Sequence, residues 1–238
     1  MRLFNIKKSK RIRQISFIQK KIRHYFHDIY VKDLQMNLDI EAMRESIDYI
    51  KKNMVDSMIS PSWHDLHSYA LEQSSLDGLY MEFGVKKGAT IRELAKMTPN
   101  TIHGFDSFQG LPENWTGTSL RKGRFNKQGK LPKVPANVIL HHGWFNESLP
   151  VFIKDHKDNI AYMHIDCDLY SSTKTIFDNL ATQIIPGTVI VFDEYFNYPN
   201  WQQHEHKALQ EFVKEYQLNY EYLCFTGHGS TVAIRITK

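Results

Sequence analysis

Acidic residues follow two apolar segments near the middle of the chain. Asp166 and Asp168 come directly after the apolar run Ile160–Ile165, and Asp193 and Glu194 follow a second such run. Because the carboxyl ends of parallel strands open onto one edge of an α/β sheet, we expect the four carboxylates at one rim. Buried like charges raise one another's pKa unless a cation lies between them, so a hard divalent metal is the natural counter-charge. The alternative is that these acids cap the helices that follow.

A strand and a glycine turn precede these acids in the chain. The segment Leu79–Phe83 has the pattern of a strand and contains Glu82, and Gly84 and Gly88 follow before a helix expected over Ala89–Met97. Glycines let a ligand approach the backbone closely, and a helix N-terminus favours polar or anionic groups. The third glycine of the dinucleotide fingerprint is missing, and an acid before the turn would repel a pyrophosphate. Glu82 instead suits a cationic group, such as an amine or a sulfonium.

The next predicted strand, Thr101–Asp106, also ends in an acid. Asp106 follows Glu82 at a spacing of about 20 residues. At this spacing a carboxylate on the second strand accepts hydrogen bonds from both ribose hydroxyls of a nucleoside. The alternative is that Asp106 caps the helix or turn that comes after it.

A long connection without a helix or strand pattern follows over residues 113–136. A connection of that length in a compact domain is usually a functional lid or a disordered segment. Its basic side chains fit an anionic substrate or a solvated loop, and both interpretations stay open. These residues are Arg121, Lys122, Arg124, Lys127, Lys130 and Lys133.

Seven segments have the apolar patterns of strands, and helical patterns separate most of them. The strands are expected at 79–83, 101–106, 137–142, 160–165, 187–192, 219–225 and 230–236, the last two as a hairpin. This alternation predicts an α/β fold with a doubly wound, Rossmann-like, seven-stranded and mostly parallel sheet. One strand near an edge should be antiparallel, and helices should cover both faces.

Helical patterns also precede the first strand. A stripe of Ile and Met predicts a helix over residues 39–58, and Ser60 with Pro61 predicts the start of another that runs to Gln73. We therefore expect a domain over residues 39–238 whose first part, residues 39–76, is a helical cover. An N-terminal arm, residues 1–38, precedes it as a helical extension.

The charge is distributed unevenly along the chain. Residues 1–24 hold nine of the 30 Lys and Arg residues and no Asp or Glu, so the rest has 21 bases against 26 acids. Isoleucines from Ile12 to Ile22 recur at helical spacing, which predicts a basic amphipathic helix. Such helices lie on anionic membrane surfaces or contact a partner protein, and a solvated leader is the alternative.

Composition argues against several classes of protein. The sequence has no run of ~18 apolar residues that would span a membrane, and no apolar segment near its start that would act as a secretory signal. Cys167 and Cys224 lie in apolar runs and are interpreted as reduced core thiols. We expect a cytoplasmic protein that has no nucleic-acid partner.

Taken together, the motifs resemble those of class I S-adenosylmethionine-dependent methyltransferases, specifically the macrocin-type sugar O-methyltransferases. The resemblance covers about residues 60–236 and rests on MEFGVKKG (81–88), GFDSFQGLP (104–112), GWFNESLP (143–150), DCDLYSST (166–173) and FDEY (192–195). The second and fourth segments are the most specific in order and spacing. The resemblance implies S-adenosylmethionine as cofactor and a sugar-like small molecule as acceptor.

The resemblance also assigns roles to individual residues. For the cofactor it implies contacts from Glu82, Gly84, Gly88, Asp106, Ser107, Phe108, Gly143, Trp144 and Phe145. For a metal ion, usually magnesium in the family, it implies the ligands Asp166, Asp193 and Glu194. This chain has Glu194 where the family commonly has a second Asp. Asp166 would help to deprotonate the sugar hydroxyl, and His204 is a second catalytic candidate.

The function that follows is S-adenosylmethionine-dependent O-methylation of a sugar or glycosylated small molecule, with Mg²⁺ or another divalent cation. Two other classes stay open. A NAD-type Rossmann oxidoreductase would use the same sheet, although the missing third glycine argues against it. A non-catalytic protein could bind S-adenosylmethionine on the same scaffold, although the metal-binding acids would then be expected to be lost. Association into a homo-oligomer also stays open.

Overall fold

The computed structural model describes residues 2–238, with side chains described from residue 15 onward except at residue 29. The helices are α1 (Arg2–Lys32), α2 (Leu34–Asn53), α3 (Trp63–Gln73), α4 (Ala89–Met97), α5 (Phe145–Asp155), α6 (Tyr170–Leu180) and α7 (Glu205–Glu215). The strands are β1 (Met58–Ser60), β2 (Leu79–Phe83), β3 (Ile102–Asp106), β4 (Val138–His142), β5 (Ile160–Ile165), β6 (Val189–Phe192), β7 (Tyr220–Thr226) and β8 (Val232–Ile236).

The strands form one eight-stranded sheet in the order β1-β7-β8-β6-β5-β2-β3-β4. Strand β8 runs antiparallel to both its neighbours, and the other pairings between the described strands are parallel. The predicted mostly parallel sheet with one antiparallel strand near an edge is therefore confirmed. From β2 the chain winds through β3 to one edge and then returns to β5, and ligand crevices open at such switch points.

The sheet has one strand more than the sequence predicts. Strand β1 pairs with β7 where the sequence analysis places the end of a helix at Met58 and a helix cap at Ser60. The first helix instead ends at Asn53, and the cap of α3 is Ser62, whose hydroxyl accepts a hydrogen bond from the backbone N–H of Asp65 at 3.1 Å. Those two assignments were wrong because three residues are too few to display the alternation of a strand.

Helices cover both faces of the sheet, as predicted. On one face α2, α5, α6 and α7 pack around a core that includes Phe83, Phe177 and Phe212. On the other face α3 and α4 pack against Tyr80 and Tyr162. Strand β5 is buried at every position, which explains its continuous apolar run, because a central parallel strand has both faces covered.

The register of the sheet brings four strand ends to one rim. Ile165 of β5 lies opposite both Phe83 of β2 and Phe192 of β6, and Phe83 also lies opposite Phe105 of β3. The residues that follow these positions therefore come together at the carboxyl edge. They are Gly84, Asp106, Asp166 and Asp193.

Helix α1 precedes this domain and contacts the start of α2, where the side-chain amide of Asn37 donates to the carbonyl oxygen of Tyr30 at 2.9 Å. Several of its described apolar side chains face solvent, among them Phe17, which is 58% exposed, Tyr25, which is 64% exposed, and Val31, which is 60% exposed. The helix expected for the N-terminal arm is therefore present. Among the described residues, none of the helices combines the length and the apolar character that crossing a membrane requires.

Candidate active site

A cavity of about 610 Å³ opens at the carboxyl ends of the central strands. Six of the nine predicted cofactor residues line it, and they are Gly84, Asp106, Ser107, Gly143, Trp144 and Phe145. The three predicted metal ligands line it as well, and they are Asp166, Asp193 and Glu194. The fold thus gathers residues from distant parts of the chain into one site.

Gly84 marks the point where the turn after β2 meets the end of β5. Its φ is +97°, and a Cβ at this position would lie 1.7 Å from the backbone oxygen of Asp166. Any side chain would therefore force the two strand ends apart. The glycine both supplies the left-handed backbone and permits the close approach.

Asp106 holds the loops on either side of it. Its Oδ2 accepts hydrogen bonds from the backbone N–H groups of Val85 at 2.9 Å and Lys86 at 2.6 Å, and its Oδ1 accepts one from Phe108 at 2.6 Å. A carboxylate oxygen has two acceptor sites, so Oδ1 keeps one for a further donor in the cavity. Asp106 therefore has the turn-capping role given above as its alternative, also holds the turn after β2, and still lines the cavity.

The wall next to Asp106 is formed by the turn between β4 and α5. Gly143 has a φ of +148°, and its N–H donates to the carbonyl oxygen of Asp106 at 3.1 Å. Trp144 caps α5 and Phe145 is its first residue. The two aromatic residues line the cavity, which suits the flat apolar face of a nucleoside base.

Glu82, predicted to contact the cofactor, is fully buried beneath the cavity and does not line it. It points to the α3 face of the sheet, where its Oε2 lies 3.4 Å from Nδ1 of His164. Burial raises the pKa of Glu82, and the nearby His164 partly offsets that rise. Successive side chains in a strand alternate between faces, so a residue within β2 need not reach the rim as the residue after its end does.

Two other predicted cofactor residues also lie outside the cavity wall. Gly88 has a φ of +71° and begins α4, close to Pro132. Phe108 is buried, and its carbonyl oxygen accepts hydrogen bonds from the backbone N–H groups of Lys127 and Gly129. Both residues shape the loops around the cavity, and their contact with a cofactor stays a prediction.

Three carboxylates form the tightest acidic group in the site, here called the carboxylate cluster. One oxygen from each of Asp166, Asp168 and Glu194 lies within 4.8 Å of the other two. Asp193 lines the same cavity, but its Oδ1 accepts a hydrogen bond from the Thr231 hydroxyl at 3.2 Å. The structure therefore adds Asp168 to the ligands that the resemblance implies, and Asp193 lies outside this tightest group.

Glu205 is a further buried acid that the sequence analysis missed. It lies at the start of α7, is fully buried, and its Oε2 accepts a hydrogen bond from the backbone N–H of Glu194 at 3.3 Å. Within the described residues, Oε1 of Glu205 and Oε2 of Glu194 are buried without a hydrogen-bond partner. Leaving buried acceptors unpaired is costly, so these atoms indicate a site that needs a positive or donating group.

Burial and mutual repulsion disfavour full ionisation of these acids. Desolvation, reinforced by neighbouring carboxylates, raises the pKa of Asp166, Glu194 and Glu205 well above the ordinary range. The pKa of Asp168 rises to about 7 for the same reasons, and the positive charge of Lys86 partly opposes that rise. A hard divalent cation has the charge and oxygen preference to match such a donor set.

The long connection over residues 113–136 forms an ordered cover above the cavity. Leu111 and Trp115 pack with Leu169 in a small apolar cluster, and Phe125 packs against it. The backbone N–H of Leu111, just before the loop, donates to the carbonyl oxygen of Arg124 within it at 2.9 Å. Apolar residues of this cover line the cavity, whereas the prediction from the sequence concerned only its basic residues.

His204, the second catalytic candidate, does not line the cavity. It is 3% exposed, and its Nε2 lies 2.9 Å from the carbonyl oxygen of Thr116. Its ring packs edge-on against Trp115, and burial lowers its pKa. The structure therefore does not bring His204 together with the carboxylates, and a role in proton transfer stays a prediction.

Similarity to known proteins is a second line of evidence on the function of this chain, independent of the cavity. Residues 81–195 match a family model described as a methyltransferase domain. A protein of Streptomyces olivaceus described as 8-demethyl-8-(2,3-dimethoxy-alpha-L-rhamnosyl)-tetracenomycin-C 4'-O-methyltransferase is 24% identical, over 60% of this chain and 64% of that protein. The chain thus spans less than two thirds of the length of that relative.

Two solved structures resemble the fold. The calicheamicin methyltransferase CalS11 is 21% identical with a TM-score of 0.59, and the match covers 81% of this chain and 91% of that one. The O-methyltransferase NovP is 20% identical with a TM-score of 0.57, and the match covers 74% and 79%. At this level of identity the likeness establishes a common fold.

Proposed function

We propose that this chain, which has the class I methyltransferase fold and carries a methyltransferase domain over residues 81–195, transfers a methyl group from S-adenosylmethionine to a hydroxyl of a sugar or glycosylated small molecule. The observation that carries the proposal is the single cavity lined by two chemically different groups of residues. Asp106, Trp144 and Phe145 form one group, and the acids Asp166, Asp168 and Glu194 form the other. A nucleoside suits the first group, and a polyhydroxyl group that binds a cation suits the second.

The printed names of the relatives support the acceptor class. The Streptomyces olivaceus protein is described as acting on a rhamnosyl group, and one of the CalS11 structures is titled a TDP-rhamnose 3'-O-methyltransferase. We carry the general feature over to this chain, an acceptor hydroxyl on a sugar. The particular sugars are not carried over.

The residues of this chain would act mainly by positioning and by proton transfer. S-adenosylmethionine supplies a methyl group that its sulfonium already activates, so alignment of the acceptor accounts for much of the catalysis. Asp166 lines the cavity beside Gly84 and belongs to the carboxylate cluster, so it lies where an acceptor hydroxyl can transfer its proton. The cover formed by Leu111, Trp115 and Phe125 would exclude water from that reaction.

We further propose that the carboxylate cluster holds a divalent cation, with magnesium as the first candidate. Asp166, Asp168 and Glu194 would be its ligands, and Asp193 would contribute either directly or through Thr231. Such an ion would polarise the acceptor hydroxyl as a Lewis acid. Oε2 of Glu194 is buried without a hydrogen-bond partner among the described residues, which supports this assignment because such an atom favours a bound positive charge.

For the N-terminal arm we propose contact with an anionic membrane surface. The described part of α1 exposes Phe17, Ile18, Ile22 and Phe26, and the arm as a whole is strongly basic. Apolar and basic side chains on one helix are the combination that interfacial helices use. An acidic protein partner is the competing outcome of the test described below. The cytoplasmic location and the homo-oligomer remain predictions.

Calorimetric titration with S-adenosylhomocysteine, and separately with NADH, tests the cofactor assignment. We expect stoichiometric binding of S-adenosylhomocysteine and no heat from NADH. Binding of NADH alone would favour the oxidoreductase. Turnover of radiolabelled S-adenosylmethionine on a panel of sugars with neighbouring hydroxyls then distinguishes an enzyme from a binding protein, because a binding protein would retain the cofactor without releasing methylated product.

A further inference from the structure

A basic groove lies beside the reaction cavity, on the side of α4. Two cavities of about 710 Å³ and 350 Å³ form it, between the start of α4 and the long cover loop. We use the name basic groove for these two cavities together with the cationic side chains that line them. These side chains are Lys86, Lys87, Arg92, Arg124, Lys127, Lys130 and Lys133.

The groove adjoins the reaction cavity, since the two share lining residues. Lys86 lines the reaction cavity and both cavities of the groove, whereas Lys127 lines both cavities of the groove. Asp166 and Phe125 line the reaction cavity and the nearer part of the groove. A single ligand can therefore have one part at the carboxylate cluster and another part among the lysines.

Backbone contacts hold the two sides of the groove together. Nη1 of Arg92 donates to the carbonyl oxygen of Lys87 at 2.9 Å and to that of Lys133 at 3.3 Å. The N–H of Lys127 donates to the carbonyl oxygen of Phe108 at 3.0 Å. The loop that carries Lys127, Lys130 and Lys133 is thus attached to the domain, so the cations converge because the fold places them together.

The positive charges in the groove outnumber the nearby acids, of which Asp166 lines its nearer part. None of the ion pairs among the described residues includes a lysine or arginine of the groove. The ammonium of Lys86 instead lies 3.8 Å from the ring centroid of Phe125. Like charges brought together in this way repel one another, and a multivalent anion relieves the repulsion. The single carboxylate of S-adenosylmethionine would neutralise only one of them.

We infer that the basic groove binds a phosphate or pyrophosphate group on the methyl acceptor, so that the acceptor is a sugar carrying a phosphate ester. The inference rests on the proposed function and specifies its substrate class. Lysine binds phosphate as a point charge, and the planar guanidinium of arginine adds geometric selectivity. The sugar would reach the carboxylate cluster while its phosphate remains near Lys127, Lys130 and Lys133.

Binding of inorganic pyrophosphate to the full-length protein tests this inference. The titration is made in magnesium-free buffer with S-adenosylhomocysteine already saturating, so that the cofactor's carboxylate occupies its own position. The groove variant is Lys130→Glu with Lys133→Glu, since both residues line only the outer part of the groove. The control is Lys154→Glu with Lys157→Glu, which makes the same charge change at exposed positions at and beyond the end of α5.

We expect the groove variant to bind pyrophosphate at least tenfold more weakly than the wild type, and the control to bind it as the wild type does. Absence of pyrophosphate binding by a wild type that binds S-adenosylhomocysteine would overturn the inference and leave the proposed function standing. Equal losses in both variants would also overturn it, because net charge alone would then explain the binding. Failure of S-adenosylhomocysteine to bind would instead refute the proposed function.

Two esters then identify the source of the phosphate. Uridine diphosphate represents a nucleotide-linked sugar, and farnesyl diphosphate represents a lipid-linked one. At least tenfold tighter binding of one ester than of inorganic pyrophosphate, lost in the groove variant, supports the inference and names that source. Binding of either ester that the groove variant retains in full would contradict it.

Discussion

The carboxylate cluster and the basic groove lie in adjoining cavities, and their charges differ in sign and in exposure to solvent. The acids of the cluster follow the ends of buried central strands, and desolvation shifts their pKa values strongly. The lysines of the groove stand on an exposed helix start and a loop. Buried charges resist screening and require a counter-charge in contact with them, whereas exposed charges act through a field that salt weakens. The two regions should therefore respond very differently to mutation and to ionic strength.

The largest expected loss of methyl-transfer activity follows mutation of the carboxylate cluster. Asp168→Asn keeps the side-chain shape and removes a charge, so we expect the fold and the binding of S-adenosylhomocysteine to survive. Loss of several kcal/mol of transition-state stabilisation would lower the methyl-transfer rate roughly a hundredfold or more. Steady-state kinetics on an accepted sugar measures it.

Asp193→Asn is the matched comparison for that prediction. Asp193 is likewise a carboxylate in the same cavity, but it lies outside the tightest group of three and accepts a hydrogen bond from Thr231. We expect a smaller loss of rate than in Asp168→Asn. A larger loss in Asp193→Asn would favour the ligand set inferred from the sequence over the one that the geometry suggests.

The next largest effect is expected at Asp106, one of the residues predicted to bind the cofactor. Asp106→Ala should abolish most of the rise in melting temperature that S-adenosylhomocysteine causes by binding the native state. It should also lower the melting temperature of the free protein, because three backbone N–H groups lose their acceptor. Thermal unfolding with and without ligand separates the two effects. Tight calorimetric binding by Asp106→Ala would show that the ribose assignment is wrong.

Salt provides a direct contrast between the two regions. Raising sodium chloride from about 50 mM to about 500 mM should weaken pyrophosphate binding to the exposed groove roughly tenfold or more. Binding of Mn²⁺ to the buried cluster should change by less than about threefold under the same conditions. Calorimetry at both salt concentrations measures the two ratios. Equal ratios would remove the distinction between a screened and an unscreened site.

Deletion of part of the N-terminal arm is expected to have the smallest effect on cofactor binding. Deleting residues 1–24 should leave the affinity for S-adenosylhomocysteine unchanged, since none of the arm's described side chains lines the cavity. Association with anionic vesicles should be lost, and in the intact protein it should weaken with salt. Co-sedimentation of both forms with anionic and neutral vesicles tests this. Equal sedimentation of the two forms would exclude the membrane proposal.

Much of the fold could be predicted because its signals are local. Seven strands have apolar runs long enough to recognise, and acids at strand ends mark the rim of a parallel sheet. Strand β1 could not be predicted, since its three residues form a strand only where the edge of β7 is available. The cap at Ser62 was missed because Ser60 and Pro61 offered an equally plausible local pattern.

The composition of the site was harder to predict because it depends on how side chains point and converge. Glu82 lies two residues before Gly84, yet strand alternation turns its side chain toward His164 and away from the cavity. Asp168 joins the carboxylate cluster through a left-handed backbone with a φ of 67° that carries the chain toward α6. Glu205 lies on the next α-helix, 11 residues after Glu194, and no known motif spacing relates the two residues.

Above all, we propose that the carboxylate cluster, in which Asp168 is buried and Asp166 and Glu194 are half-buried, holds a divalent cation beside the cofactor. Titration of Mn²⁺ into the full-length protein saturated with S-adenosylhomocysteine, followed by electron paramagnetic resonance, tests it most directly. We predict one bound Mn²⁺ per wild-type chain and an affinity at least tenfold lower in Asp166→Asn, whose cofactor binding is checked in parallel. A wild-type chain that binds S-adenosylhomocysteine but no Mn²⁺, or undiminished Mn²⁺ binding by Asp166→Asn, would contradict the account.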